Sequence, residues 1–405
     1  MKLSEAVAGA GWQQLLPSHR ADGDDQPAGA PRCVGGLPLG DGLVLAVVED
    51  DRGRTYPVPL APHDDGVRRA VPADGAAEAL VRLLADGDAE RDGFTITTWH
   101  HQAAAGERAI TVDQTNESVV VGDRAVVKWT FLADEGPHPA PSLLSLLDAA
   151  GFTGTPTPWG AVAWHGRLLA VVVDYVPGAV DGWTWAVDDI RTLDHDRAAA
   201  SGREVGELVA RFHRALAATS RPATGAERAA WKRGALRDLD RALEVSTSPV
   251  LRAHAGNARS LLGAEHRDDV LVQRVHGDLH VGQVLRSADR TVLTDFDGNP
   301  VVPAPERVRE QPVALDVAGM AQSFTHAGLV VRKHYPELDP VRVEASAALA
   351  RREFLAGYGD VDSHLLRAFS VRQVCREFTY AATHLPRWTY VPEAALPMLL
   401  PREYA

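Results

Sequence analysis

Two short segments in the second half of the chain constrain its fold most. They are Val275-His276-Gly277-Asp278-Leu279-His280-Val281-Gly282-Gln283-Val284 and Leu293-Thr294-Asp295-Phe296-Asp297-Gly298. Each sets acidic side chains against an apolar run of β type, and only a short connection separates them. This layout suits phosphoryl transfer from ATP, in which one Asp receives the proton of an attacking hydroxyl while an amide and a second Asp hold Mg²⁺ on the phosphates.

The interval from Asp278 to Gln283 matches that from the base to the metal-binding Asn of a kinase catalytic loop, with Gln in place of Asn. Asp278 is therefore the expected base, and Gln283 and Asp295 the expected metal residues. Carboxylate and carboxamide oxygens suit hard Mg²⁺ better than zinc. His276 reads as a structural histidine that hydrogen-bonds the catalytic loop. Asp297 has three readings: metal contact, substrate contact, or shaping the turn before Gly298.

Composition narrows the alternatives. A chain of 405 residues has room for two to three domains, each with its own core. A net charge of −12 argues against a nucleic-acid partner, which calls for a clustered basic surface. Cys33 and Cys375 make neither a disulfide framework nor a metal-ligand spacing. No apolar leader opens the chain and no stretch approaches a membrane span. The expected setting is cytoplasmic, without a membrane partner, as a monomer or homodimer. Only four of the 42 basic residues are lysines, which singles out Lys128 at the end of the run Ala125-Val126-Val127.

The pattern divides into three regions. Residues 1–95 carry two apolar segments, Leu43 to Val48 and Tyr56 to Leu60, a long loop from Pro17 to Pro31, and a helix from Ala76 to Leu84; they predict a small α/β cap. Residues 96–178 predict a β-rich lobe with strands at Ile110–Val112, Ser118–Val121, Ala125–Trp129, Gly160–Trp164 and Leu168–Val173. A helix from Leu143 to Ala150 interrupts these strands, and they end in the turn-rich hinge Asp174-Tyr175-Val176-Pro177-Gly178. Residues 179–405 predict a helical lobe, in which Ser201-Gly202-Arg203-Glu204 reads as a capping box opening a helix from Val205 to Ala217. The fold class is α+β.

Within the β-rich lobe, Lys128 could reach the α- and β-phosphates. The glycine-free loop Asp113-Gln114-Thr115-Asn116 lies where a phosphate-covering loop belongs, which makes Asn116 and Ser118 candidates beside the lysine. Backbone at Asp174, Tyr175 and Val176 is the expected adenine contact.

These residues resemble the maltokinase-like branch of the aminoglycoside phosphotransferase superfamily, which shares the protein kinase fold. The similar stretches run in order: Gln114 through Lys128, Ala150-Gly151-Phe152-Thr153-Gly154-Thr155-Pro156, Tyr175-Val176-Pro177-Gly178-Ala179, His276 to Leu285, Asp295-Phe296-Asp297-Gly298, and Leu315-Asp316-Val317-Ala318-Gly319-Met320. The resemblance implies a bilobal kinase-like fold with an N-terminal cap, and ATP and Mg²⁺ as cofactors. Maltokinases carry Glu where this chain has Asp297, and a Tyr-Glu-x-Arg-Asn-Arg-Pro pattern where it has Tyr380 to Tyr390. The Trp-x-Tyr ending of that stretch looks like the related glucosamine kinases. The resemblance thus implies glucosamine as acceptor, with maltose the runner-up, an aminoglycoside third, and a nucleotide-binding pseudokinase the alternative of another class. Candidate substrate residues are Asp278, His280, Asp297, Glu377, Tyr380, His384 and Trp388, with Glu377 one helical turn before Tyr380 and expected on its face. The usual acidic partner of the ATP lysine is missing around Pro141 to Leu147, so either Glu135 or Asp148 replaces it or Lys128 is held differently.

Overall fold

Alternating and continuous apolar runs put most strands in the first half of the chain, and heptad-like apolar spacing puts most helices in the second. A computed structural model describes residues 2–17, 26–64, 66–110, 117–264 and 267–400. The chain divides into two compact units: residues 1–149, 156–177 and 300–308, and residues 150–155, 178–299 and 309–405.

The first unit opens with α1 (Leu3–Leu15), broken at Gly11, and a four-stranded antiparallel sheet of β1 (Arg32–Gly40), β2 (Leu43–Glu49), β3 (Thr55–His63) and β4 (Gly66–Arg69) in sequence order. Neither α1 nor β1 stood out in the sequence. Gly35, Gly36 and Pro38 disfavour a strand, and β1 accommodates them through register shifts at Cys33/Gly35 and Pro38/Gly40. At Gly36 a Cβ would lie 2.5 Å from the end of the Leu3 side chain, which would have to shift. After α2 (Ala76–Ala85) comes a seven-stranded antiparallel sheet. It comprises β5 (Ala89–Arg91), β6 (Phe94–Thr98), β7 (Glu107–Ala109), β8 (Glu117–Val121) and β9 (Ala125–Trp129), then, beyond α3 (Pro139–Ala149), β10 (Pro158–Trp164) and β11 (Arg167–Asp174). Their order is β5-β6-β10-β11-β9-β8-β7.

Of the strand expected at Ile110–Val112, residues 111–112 fall outside the described residues; β7 ends directly before it, at Ala109. Gly122 and Asp123 make the expected turn, both with left-handed φ, 58° and 50°. The boundary at residue 95 passes through β6, and one apolar core joins Leu37, Leu45, Leu80 and Leu84 to Phe94, Ile96, Val119 and Trp159.

The second unit is mainly helical. It contains α4 (Gly182–Arg191), α5 (His195–Ala215), β12 (Arg221–Pro222), α6 (Gly225–Val245) and α7 (Pro249–Leu262). These are followed by β13 (Leu271–Val272), which pairs with β12, and the hairpin of β14 (Val284–Arg286) and β15 (Thr291–Leu293). The short α8 (Ala304–Arg307) belongs to the first unit; α9 (Ala314–His334), α10 (Pro340–Tyr358), α11 (Ser363–Thr383) and α12 (Tyr390–Leu399) complete the second.

One capping assignment is corrected. Helix α5 starts at His195, capped by Asp194, whose side chain accepts from Arg197 N–H, so Ser201 to Glu204 lies inside it. Ser201 is buried and its hydroxyl donates to Asp189 at 2.6 Å. Gly202 and Gly206 let α5 approach α10, since a Cβ would meet Ala350 O at 2.1 Å and Phe354 O at 2.2 Å. Small residues that look like a helix start are there for helix packing.

Candidate active site

The two diagnostic segments are stitched together in the second unit. β14 and β15 pair antiparallel with Val284 opposite Leu293, and one step further Thr294 N–H donates to Gln283 O at 2.9 Å. Gln283 therefore lies alongside the chain entering Asp295. A buried His276 adds a second stitch through Nε2 to Thr294 O at 2.9 Å, as its structural reading requires. A third contact comes at two left-handed glycines, where the Cβ position of Gly277 would be 3.8 Å from Gly298 Cα. Asp295 itself has φ of 64°, a conformation that Asp and Asn adopt more readily than other side chains.

Beneath this crossing, Asp316 on α9 is fully buried and accepts His276 N–H at 2.8 Å, Gly277 N–H at 2.9 Å and the His213 ring at 3.0 Å. Burial works against its charge, but His213, the nearby His276 ring and the Gly277 N–H hold its carboxyl below the usual range. Phe296 stacks on Phe212 at 5.9 Å and lies 5.1 Å from the His276 ring, giving the loops an aromatic bed. Ser323, one heptad beyond Asp316, accepts Val281 N–H at 2.9 Å.

Asp278 emerges from this framework with one oxygen held by Asn299 Nδ2 at 2.9 Å. Burial pushes its carboxyl up to about 6; His276 and Arg376 oppose the rise, while Asp295 and Asp316 add to it. His280 is engaged with its own loop: Nδ1 accepts Gly282 N–H at 3.0 Å and Nε2 lies 3.4 Å from the Gln283 amide. Burial, with His276 and His326 nearby, lowers His280 to about 4, so the ring is neutral at pH 7 and bears its proton on Nε2.

Glu377 is no solvated helix residue. Its side chain is 13% exposed and lies 3.2 Å from His326 Nε2, while Tyr380 is 51% exposed. Three residues turn a helix by about 300°, which leaves the two side chains about 60° apart on one side of α11, Glu377 at its buried edge and Tyr380 toward solvent. Tyr380 pairs with His384, ring centroids 5.4 Å apart, and Trp388 packs edge-on against Tyr390 at 5.8 Å.

In the first unit, Ser118 and Lys128 face each other across the β8–β9 ladder. Asn116 lies outside the described residues. Asp174 ends β11 with its carboxylate on Trp159 Nε1 at 2.8 Å, Tyr175 N–H is bonded to Arg124 O at 2.7 Å, and Val176 is buried. Both acids considered for Lys128 have other partners: Glu135 binds Arg167 and Asp148 binds His100, each at 2.8 Å.

Asn299, His326 and Arg376 were absent from the sequence-based set. Asn299 could have been found by its position directly after Asp297-Gly298, and His326 by its place in the largely apolar run Val317 to Val331 of α9. Among the described residues no three His, Cys, Asp or Glu side chains converge as a metal cage. A carboxylate and an amide at adjacent loop ends suit Mg²⁺, which retains waters and phosphate oxygens rather than filling an all-protein site.

The β-rich unit with a strand-borne lysine and the helical unit with its stitched acidic segments fit an ATP-dependent phosphotransferase. No family model matches the chain. It is 46% identical to a glucosamine kinase of Mycolicibacterium smegmatis, covering 90% of this chain and 97% of that protein, and 42% identical to a glucosamine kinase of Streptacidiphilus jiangxiensis over 98% of each. A crystal structure of a glucosamine kinase with glucosamine, ADP and inorganic phosphate superposes with a TM-score of 0.83 at 39% identity, covering 99% of this chain and 100% of that one. The chain belongs to the glucosamine kinase family.

Proposed function

We propose that this chain transfers the γ-phosphoryl group of ATP to O6 of glucosamine. The half-buried Asp278, steered by Asn299 and set beside the Gln283–Asp295 junction, carries this reading. Asp278 accepts the hydroxyl proton as the sugar oxygen bonds to the γ-phosphorus, the bond to the bridging oxygen breaks, and ADP leaves with that electron pair. Asp295 and Gln283 would hold Mg²⁺, which supplies charge neutralisation at the phosphates. His280 and Asp297 face the acceptor. Lys128 and Ser118 bind phosphate, with Asn116 assigned alongside them, and the backbone at Asp174, Tyr175 and Val176 receives adenine. Glu377, with Tyr380, His384 and Trp388 beyond it on α11 and its exit, forms the sugar side. Residues 1–95 act as cap, 96–178 as nucleotide lobe with hinge, and 179–405 as acceptor lobe, in a cytoplasmic monomer or homodimer. Among the described residues no helix is long and apolar enough to cross a membrane.

The test is ADP release across a sugar panel. Glucosamine should exceed glucose and N-acetylglucosamine in kcat/KM by about one to two decades, the worth of one ionic hydrogen bond to the ammonium. Equal turnover of glucose would remove the amino-sugar assignment, and efficient turnover of maltose would replace it.

A further inference from the structure

The strand pair beside Lys128 is gripped at both strands by the N-terminal region. On β7, the Glu107 carboxylate accepts the backbone N–H groups of Ala73 at 2.8 Å and of Gly75 and Glu78 at 2.9 Å, all at the start of α2. The grip is reciprocal, since Gly106 N–H donates to Glu78 Oε2 at 2.8 Å. On β8, Glu117 receives Arg69 of β4 through Nε at 2.8 Å and through Nη2. Arg69 is only 7% exposed, so its charge depends on that carboxylate. Glu117 directly precedes Ser118, the ladder partner of Lys128.

We infer that residues 1–95 position the nucleotide site: Arg69 and Glu107 fix β7 and β8, and through the ladder they fix Lys128 against the ATP phosphates. The inference rests on the assignment of Lys128 and Ser118 to phosphate. Arg69, Glu107 and Glu117 are positioning residues; they act through the strands. Phosphoryl transfer is sensitive to such placement, because an error of about 1 Å can cost about a hundredfold in rate.

The experiment compares KM for ATP, KM for glucosamine and kcat in full-length Arg69→Met, Arg69→Lys, Glu107→Gln and Arg32→Ala. Arg32→Ala breaks an exposed pair with Glu49 on β1–β2, away from the grip. Arg69→Met and Glu107→Gln should raise KM for ATP about three- to tenfold with KM for glucosamine unchanged. Arg69→Lys should recover part of the loss, and Arg32→Ala should change neither constant. The conservative Glu107→Gln keeps the test decisive if Arg69→Met fails to fold. A normal KM for ATP in Glu107→Gln, or an equal rise in Arg32→Ala, overturns the inference. Lys128→Ala separates the two claims. If it leaves ATP affinity unchanged, the phosphate assignment and the inference fall together; if it weakens ATP while Glu107→Gln does not, only the positioning role falls.

Discussion

Burial destabilises the charge of Asp278, the proposed base. Its folded pKa of about 6 lies above the ordinary 3.8, so the native state holds this proton more tightly than the unfolded chain. That contribution to stability is full below about pH 3.8 and is lost as pH rises through 6. Asp278→Asn is neutral throughout, so at pH 8 it should unfold at higher urea than the wild type, by on the order of 1 to 3 kcal/mol, with the gap closing near pH 4. The same variant should bind ATP but lose about two to four decades of turnover. In the wild type, kcat/KM should fall about tenfold per pH unit below 6, and a limb that broke near pH 4 would show that the carboxyl is not raised.

Among the elements, α5 shows how tertiary contact overrides local preference. Gly206→Ala gains about 1 kcal/mol of helix propensity, but its Cβ would lie 2.2 Å from Phe354 O. The net result should be a loss of about 1 to 3 kcal/mol as α10 is pushed away. Gly256, inside α7, has open space around its Cβ position, so Gly256→Ala should stabilise by up to about 1 kcal/mol. Urea midpoints of the two variants should move in opposite directions. The same competition decides what could be read in advance. Strands β9 to β11 and helix α2 were legible because their periodicity agrees with their packing. Strand β1 was not, because Gly35, Gly36 and Pro38 disfavour a strand and are taken up by its register shifts, and the start of α5 was misplaced because Ser201 serves a buried carboxylate on α4. In the site, Asp278, Gln283 and Asp295 are separated by fixed short spacings and could be read. Asn299, His326 and Arg376 reach Asp278 or its loop only by folding.

At the scale of the molecule, the first 95 residues share a core with the strands that follow. A chain starting at Phe94 would lose Leu37, Leu45, Leu80 and Leu84 from around Phe94, Ile96 and Trp159. It should be insoluble or molten rather than a smaller active kinase, and a soluble fragment with a cooperative thermal transition would contradict this. The grip on β7 and β8 also sets where two related enzymes can be recombined. A crossover at residue 95 would take Arg69 from one parent and Glu117 from the other, and would part Glu78 from Glu107. A crossover after Trp129 inherits each pair intact. Chimeras broken at the later point should retain nucleotide affinity that those broken at the apparent boundary lose, and divergence at position 69 should be tolerated only with a matching change at 117.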